Sequence, residues 1–422
     1  TGVDTSASLK DEEVELHGLG ALVEEKLKVS EDARLFDEKR WLRAYRNYRG
    51  IYGPDLAFRE NEKSKVFVKI TKTKVLAAYG QIIEVLFSQG KFPIGIEPTT
   101  IPEGASEYAH LKPEGQQQQP ESPYGFPGDG KEIKPGTTIN EILGGLKDEY
   151  GSLPFEEGAA PDLKSMPQIE PAKMASESME KMIHDQLDES LATTVLRHII
   201  FEMTLLGTGI LKGPFNYEKK LHSWDKNEDT DELFYNPKTK LTPKIEAVSC
   251  WDFYPDPNAT SIEDCNYVIQ RHKLTASDMR DLLNRPFFRE SAIKNCIEAG
   301  PNYQQRSFET ALYDRENQAD YEQDRFEVFE YWGKMDAALA EEAGLEINPD
   351  EVDVLNEVDI NAWVCNGHIL RLVLNPFTPS RLPYMVCPYE INPYQFFGVG
   401  IPENMDDSQQ IMNGHARMAI DN

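Results

Sequence analysis

Cysteine is scarce in this chain: Cys250, Cys265, Cys296, Cys365 and Cys387 are the only five in 422 residues. They form no CxxC pair and no short Cys/His cluster. An odd number at wide spacing is the pattern of reduced thiols in a cytosolic setting, not of a secreted disulfide scaffold. Long apolar runs are also missing. The most hydrophobic stretch, residues 195–211, is interrupted by Arg197, His198 and Glu202, so nothing approaches the roughly 20 apolar residues of a membrane span. No signal-peptide pattern opens the chain. Positive charge is in short supply, with 44 Lys and Arg against 72 Asp and Glu, a net charge of −28. Lys and Arg on phosphates supply most non-specific nucleic-acid affinity, so most of this surface should repel DNA.

Catalytic patterns are absent as well. Each Gly-Lys pair that might open a nucleotide-binding loop lacks the following Ser or Thr: Gly90-Lys91 precedes Phe92, Gly130-Lys131 precedes Glu132, and Gly333-Lys334 precedes Met335. A P-loop ATPase is thereby excluded. Gly207-Thr208-Gly209 ends a helical pattern, the wrong way round for phosphate binding, which needs a strand before and a helix after. Asp252, Asp256, Glu263 and Asp264 form the best carboxylate cluster and have the chemistry of a divalent-metal nuclease site. Turn formation explains the same acids, with Asp256 preceding Pro257. His184, His198, His222, His272 and His368 are dispersed, and a lone His is more often a satisfied or solvated side chain than a ligand. No Ser/His/Asp grouping or nucleophile elbow occurs.

What is present is the material of a folded protein. Apolar residues make up 40% and aromatics 10%, enough for two or three cores. Ser30, followed by Glu31 and Asp32, reads as the cap of a helix running to Gly50. Its second half, KRWLRAYRNYRG, is the one cationic aromatic patch: Arg40, Trp41, Arg43, Tyr45, Arg46, Tyr48 and Arg49. The spacing there fits an amphipathic helix with snorkelling arginines, or contact with nucleic acid or an acidic neighbouring subunit. A second helix is expected over 66–89, with Val75, Tyr79, Ile82 and Leu86 on one stripe. Residues 98–171 carry eleven prolines and the run Gln116–Gln119, and read as a long insertion with at most a short helix at 139–146.

Periodicity returns at Ala172 and predicts the longest helix, through Met179, Ile183, Leu187, Leu191 and Val195 to Leu206. Strands follow at 210–211, 245–253 and 267–269. Thr275 opens a helix with a capping-box-like start at Asp278, broken near Pro286, and another helix spans 289–299. Residues 302–324 read as loose. RFEVFEYWG at 325–333 reads as a strand alternating Phe326, Val328 and either Glu330 or Tyr331 between two faces. Asn366-Gly367, flanked by strands at 360–365 and 368–374, is the strongest hairpin signal. A short helix at 337–345, a strand at 384–389 and a terminal helix with Met405, Gln409, Met412, Ala416 and Ile420 on one side complete the reading.

Two segments carry a resemblance. SCWDFYPDPNATSIEDCNYVIQRHKLTASDMRDL, residues 249–282, and the closing PYEINPYQFFGVGIPENMDDSQQIMNGHARMAIDN resemble the portal (head-to-tail connector) proteins of tailed bacteriophages, particularly the short-tailed kind. There a WDFYPDP-like turn and a closing GIPE…Q…N helix recur. The likeness runs from Leu205 onward and extends loosely to the first ninety residues. It implies an α+β protomer with an α/β wing, a helical stem and a β-rich clip, assembled as a ring. On this chain it implies an N-terminal helical wing segment at 1–97, the insertion at 98–170, the α/β wing at 171–274, a first stem helix region at 275–300, a linker and clip at 301–398, and the start of a second stem helix at 399–422. Because the sequence begins at Thr1 without Met and stops inside a helical pattern, it is expected to be a piece of a longer polypeptide.

The resemblance further implies a structural virion protein without enzymatic activity, cofactor or metal. Such a protein forms a dodecameric ring at one capsid vertex and contacts the major capsid protein. It serves as the channel for genome packaging and ejection, docks the terminase during packaging and a tail adaptor afterwards, passes double-stranded genomic DNA, and is assembled in the host cytoplasm away from membranes. Candidates facing the channel are Glu403, Asp406, Asp407 and Gln410. Candidates for a projecting, adaptor-binding clip are Glu327, Glu330, Trp332, Trp363, Asn366, Gly367, His368 and Arg371. Subunit-interface candidates are Arg40, Trp41, Arg43, Arg46 and Arg49. The rival readings are another structural head–tail protein, such as an adaptor or internal scaffold, and a metal-dependent nuclease built on the carboxylate cluster.

Overall fold

The computed structural model describes residues 5–54, 56, 58, 63–88, 92–97, 171–226, 233–313, 324–348 and 352–421. The insertion and its short helix at 139–146 lie outside them. The chain divides into two compact units, residues 1–93 with 184–422, and residues 94–183. In the second unit the described residues are 94–97 and 171–183, where the Ile96 amide donates to Glu180 at 3.3 Å.

The elements run α1 (Thr5–Arg49), α2 (Ile70–Phe87), α3 (Pro171–Glu189), α4 (Ala192–Leu206), β1 (Thr208–Leu221), β2 (Trp224–Lys226), β3 (Leu233–Tyr235) and β4 (Lys238–Val248). After a 3-10 turn come β5 (Phe253–Pro255), β6 (Tyr267–Thr275), α5 (Ala276–Leu282), α6 (Glu290–Ala299), α7 (Ser307–Tyr313), β7 (Arg325–Asp336), α8 (Ala337–Glu342), β8 (Glu357–Cys365), β9 (His368–Leu374), β10 (Tyr384–Pro388), α9 (Ile401–Asn404) and α10 (Asp406–Asp421). Helices and strands are mixed without a repeating βαβ unit, as an α+β chain requires.

Several boundaries differ from the sequence reading. α1 does not begin at Ser30: that residue lies mid-helix, and its hydroxyl is 3.0 Å from the Tyr267 hydroxyl. A tertiary partner makes a cap-type side chain tolerable inside a helix. α1, with 45 residues, is the longest, not the helix after Ala172, which Leu191 at φ 54 divides into α3 and α4. β1 and β4 are also much longer than expected, pairing from Ile210↔Val248 out to Leu221↔Lys238. The capping box at Thr275 is present in full, with Thr275 and Asp278 bonding each other's backbone amides. Asn366 and Gly367 take φ 51 and 73, as the two positive values of a type I′ turn demand.

The centre is a five-stranded antiparallel sheet in the order β5-β6-β7-β8-β9. Leu19, Val23 and Leu27 of α1, at helical spacing, cover one face through Tyr267, Ile269, Phe329, Tyr331 and Ile360. On the other face, α5 and α6 pack Met279, Leu282 and Ile293 on Phe326, Val328, Trp363 and Leu370. A three-stranded sheet, β10-β1-β4, covers the rest through Ile210, Val248 and Tyr384 against Val268 and Trp332. β7 is therefore buried on both faces. The open choice in its alternation resolves to Phe326, Val328, Glu330 and Trp332 on one side, with Tyr331 on the other.

Candidate functional site

The terminal helices start from a crossing of two backbones. Gly207 ends α4 at φ +95, and a Cβ placed on it would lie 2.5 Å from the Gly398 carbonyl oxygen. A Cβ on Gly400 would lie 2.8 Å from the Leu205 carbonyl. The Gly398 amide donates to Thr208 Oγ1 at 2.9 Å, and the Tyr389 amide to the Gly207 carbonyl at 2.8 Å. Only glycine permits such an approach.

From that crossing α9 and α10 lead back along α1. Arg40 Nε is 3.3 Å from Glu403, and an Arg40 guanidinium nitrogen donates to the Gly398 carbonyl at 2.9 Å. Arg43 meets Asp406 at 2.5 Å, and Asn47 Nδ2 donates to the same carboxylate at 2.8 Å. Candidates drawn from two different lists, the subunit interface and the channel, are thus paired within one chain. Trp41 is 1% exposed and packs edge-on against Trp251 and Phe397, so it is a core residue rather than a surface one. Arg46 is half-buried, Arg49 is exposed and donates to the Tyr45 hydroxyl at 2.8 Å, and Arg43 remains 63% exposed despite its partner. Asp407 and Gln410 face solvent, Gln410 donating to Asp406 at 2.9 Å.

The inward side of α10 is polar, contrary to the apolar stripe expected of it. Gln409 Oε1 accepts from Thr71 N at 3.1 Å and from its Oγ1 at 2.8 Å, and Asn413 Oδ1 accepts from Val68 N at 2.8 Å. Ile411, Met412, Met418 and Ile420 are exposed instead.

The residues expected on a projecting clip divide into an interior set and a partly exposed set. Glu327, Glu330, Trp332 and Trp363 are buried, while Asn366, Gly367, His368 and Arg371 are half-buried. The reason is β7 and β8: central strands bury both faces, a property local alternation does not reveal. The turn itself rests on α1, since a Cβ on Gly20 would lie 2.5 Å from the Gly367 carbonyl. Asn366 Nδ2 donates to the Gly300 carbonyl at 3.3 Å, and the Arg371 guanidinium sits 5.6 Å from the Phe288 ring centroid. An exposed β element does exist, where sequence periodicity gave no sign of one. The outer part of β1 and β4 with β2 and β3 leaves Tyr217, Leu221, Trp224, Tyr235 and Leu241 exposed.

The carboxylates and cations buried between the sheet layers are paired with one another. Glu330 is bonded by Lys212, His272 Nε2 (2.8 Å) and Trp332 Nε1 (2.7 Å). Burial opposes its charge, but Lys212 and His272 hold its carboxyl well below the usual range. Arg271, with no side-chain exposure, meets Asp252 and Glu309 at 2.7 Å and Glu327 at 3.2 Å. Burial raises the Glu309 carboxyl, yet Arg271 and hydrogen bonds from Lys273, Tyr303 and the Arg306 amide bring it down to about 2. An open cleft of about 570 Å³ beside these groups is lined by Lys244, Glu246, Asp252, Arg271 and Lys273, each already ion-paired.

The carboxylate cluster does not converge on one point. Asp252 serves Arg271, Asp256 accepts from the Asn258 amide and Asn266 Nδ2, and Asp264 accepts from Thr260 and Ser261. Among the described residues no group of three or more His, Cys, Asp and Glu is placed to hold a metal ion, and no helix is long and apolar enough to cross a membrane.

A comparison with curated proteins found no match. The family comparison did: residues 226–422, just under half of the chain, match the family described as Phage SU10 portal protein. That span holds the whole five-stranded sheet and both terminal helices. Over residues 226–422 this chain is similar to a structural, non-enzymatic family, and the similarity supports a phage portal protein.

Proposed function

We propose that this chain is the protomer of a portal ring at one capsid vertex, through which double-stranded DNA is packaged and later ejected. The observation that carries the reading is the family similarity of 226–422, a span containing the central sheet and the helices α9 and α10. The charge supports it: a net charge of −28 gives DNA few phosphate partners, so a duplex slides past with low friction. Asp407 and Gln410, exposed on α10, face the channel, with Glu403 and Asp406 beside them on the side tied to α1. Arg43, Arg46 and Arg49 meet the acidic surface of a neighbouring subunit. The ring contacts the major capsid protein and docks terminase and then a tail adaptor through the β-rich part of residues 301–398, at the edge formed by Asn366, Gly367, His368 and Arg371.

Electron microscopy of the purified assembly tests this directly. A closed ring of about twelve subunits with an open central channel is expected; a plugged disc, or a protein that stays monomeric, would overturn the portal assignment and favour an adaptor or scaffold.

A further inference from the structure

Two thiols lie between α6 and the β8–β9 hairpin, and the proposed function makes no use of them. Cys296 on α6 and Cys365 at the end of β8 are both fully buried, in the apolar layer of Ile293, Trp363 and Leu370. The Cys296 thiol donates to the Cys365 backbone carbonyl at 3.2 Å. None of the other three cysteines has a thiol partner: Cys250 donates to the Thr208 carbonyl, Cys265 to the Ser261 carbonyl, and Cys387 is exposed.

The surrounding backbone holds this pair in register from both ends of α6. At its start, the Arg289 amide donates to the Leu370 carbonyl at 2.8 Å, and Phe288 bridges Arg371. At its end, Asn366 Nδ2 donates to the Gly300 carbonyl at 3.3 Å. A buried thiol that reaches the backbone of the other cysteine, between two anchored elements, has a short way to move before the two sulfurs can bond.

We propose that Cys296 and Cys365 are a latent disulfide site, whose oxidation links α6 to the β8–β9 hairpin within one chain. The neighbouring Cys365 side chain pulls the Cys296 thiol down, while the Cys296 side chain and burial hold that of Cys365 up, which favours Cys296 as the attacking sulfur. With a small organic disulfide as oxidant, the Cys296 thiolate attacks one of its sulfurs and releases the first thiolate, leaving a mixed disulfide. Cys365 then gives up its proton and attacks the Cys296 sulfur, releasing the second. Two protein thiols are oxidised, the oxidant's S–S bond takes the two electrons, and the two protons pass to the released thiolates. Access comes from local opening of α6, a helix of only 10 residues.

The test uses bis(2-hydroxyethyl) disulfide, a neutral oxidant that a net charge of −28 does not repel. Intact protein is treated below its melting temperature, its remaining thiols are alkylated in denaturant without reductant, and peptides are mapped. A Cys296–Cys365 linked peptide within one chain is expected, with a melting temperature raised by several degrees and restored by reductant. Cys296→Ser, which keeps a donor for the Cys365 carbonyl, should show neither the link nor the shift. Recovery of both Cys296 and Cys365 as alkylated thiols, or links only through Cys387 between chains, would overturn the proposal.

Discussion

Glu202, near the end of α4, shows how one side chain sets a pH dependence. Its carboxylate accepts from Ser249 Oγ at 2.5 Å and from the Cys250 amide at 3.1 Å, anchoring the 3-10 turn between β4 and β5. Burial nonetheless raises its pKa to about 7, because these two bonds do not replace the water it has lost. The folded chain thus prefers the protonated acid. Its contribution is fully present below the ordinary value near 4.5, declines as pH rises, and is lost once pH passes about 7. The whole effect amounts to about 3 kcal/mol. Glu309, held down to about 2, acts in the opposite direction and only below the ordinary carboxylate range. Glu202→Gln keeps an acceptor without the charge. The melting-temperature difference between this variant and the parent should therefore grow in favour of the variant from pH 5 to pH 8. An unchanged difference would mean that Glu202 is ionised throughout.

At the scale of elements, α10 is docked by amides. Gln409 and Asn413 satisfy Val68 and Thr71 just before and at the start of α2, where backbone groups lack helical partners. Removing one partner from a buried polar group costs about 1–3 kcal/mol. Gln409→Ala should lower the melting temperature and speed hydrogen exchange at the Thr71 amide, while Met412→Ala on the exposed side should leave both unchanged. Equal effects of the two would place the apolar side of α10 against the fold instead. The same element shows what sequence spacing conceals: Gln409 falls on the stripe with Met405 and Met412, and nothing in the period distinguishes an amide that bonds a neighbouring backbone from a polar residue facing water.

Across the whole molecule, charge governs how copies approach one another. Chains carrying a net charge of −28 repel over the Debye length, roughly 30 Å at 0.01 M salt and roughly 8 Å at 0.15 M. Assembly of a ring should therefore be faster and more complete at the higher salt in sedimentation experiments, where pairs such as Arg43 with acidic neighbours act only at short range. A fall in assembly with added salt would mean that long-range attraction between the basic patch and an acidic face outweighs the net repulsion.

The sequence alone determined those features whose physics is local. The Asn366-Gly367 turn needs positive φ at both positions, the Thr275 box bonds residues three apart, and the helix end at Gly207 needs a residue free of Cβ strain. The family resemblance was legible for a similar reason, since it was read from the turn and helix segments at 249–282 and at the close of the chain, both of which lie inside the matched residues 226–422. Tertiary structure decided everything that depends on what lies opposite a residue. Glu330 and Trp363 are interior because two layers cover β7 and β8; Ser30 stays within α1 because Tyr267 reaches it; and Arg40 and Arg43 find Glu403 and Asp406, more than 350 residues away, because Gly207 lets the 398–400 backbone cross it. Periodicity reports which face of an element is apolar, whereas burial and pairing are set by the partner packed on that face.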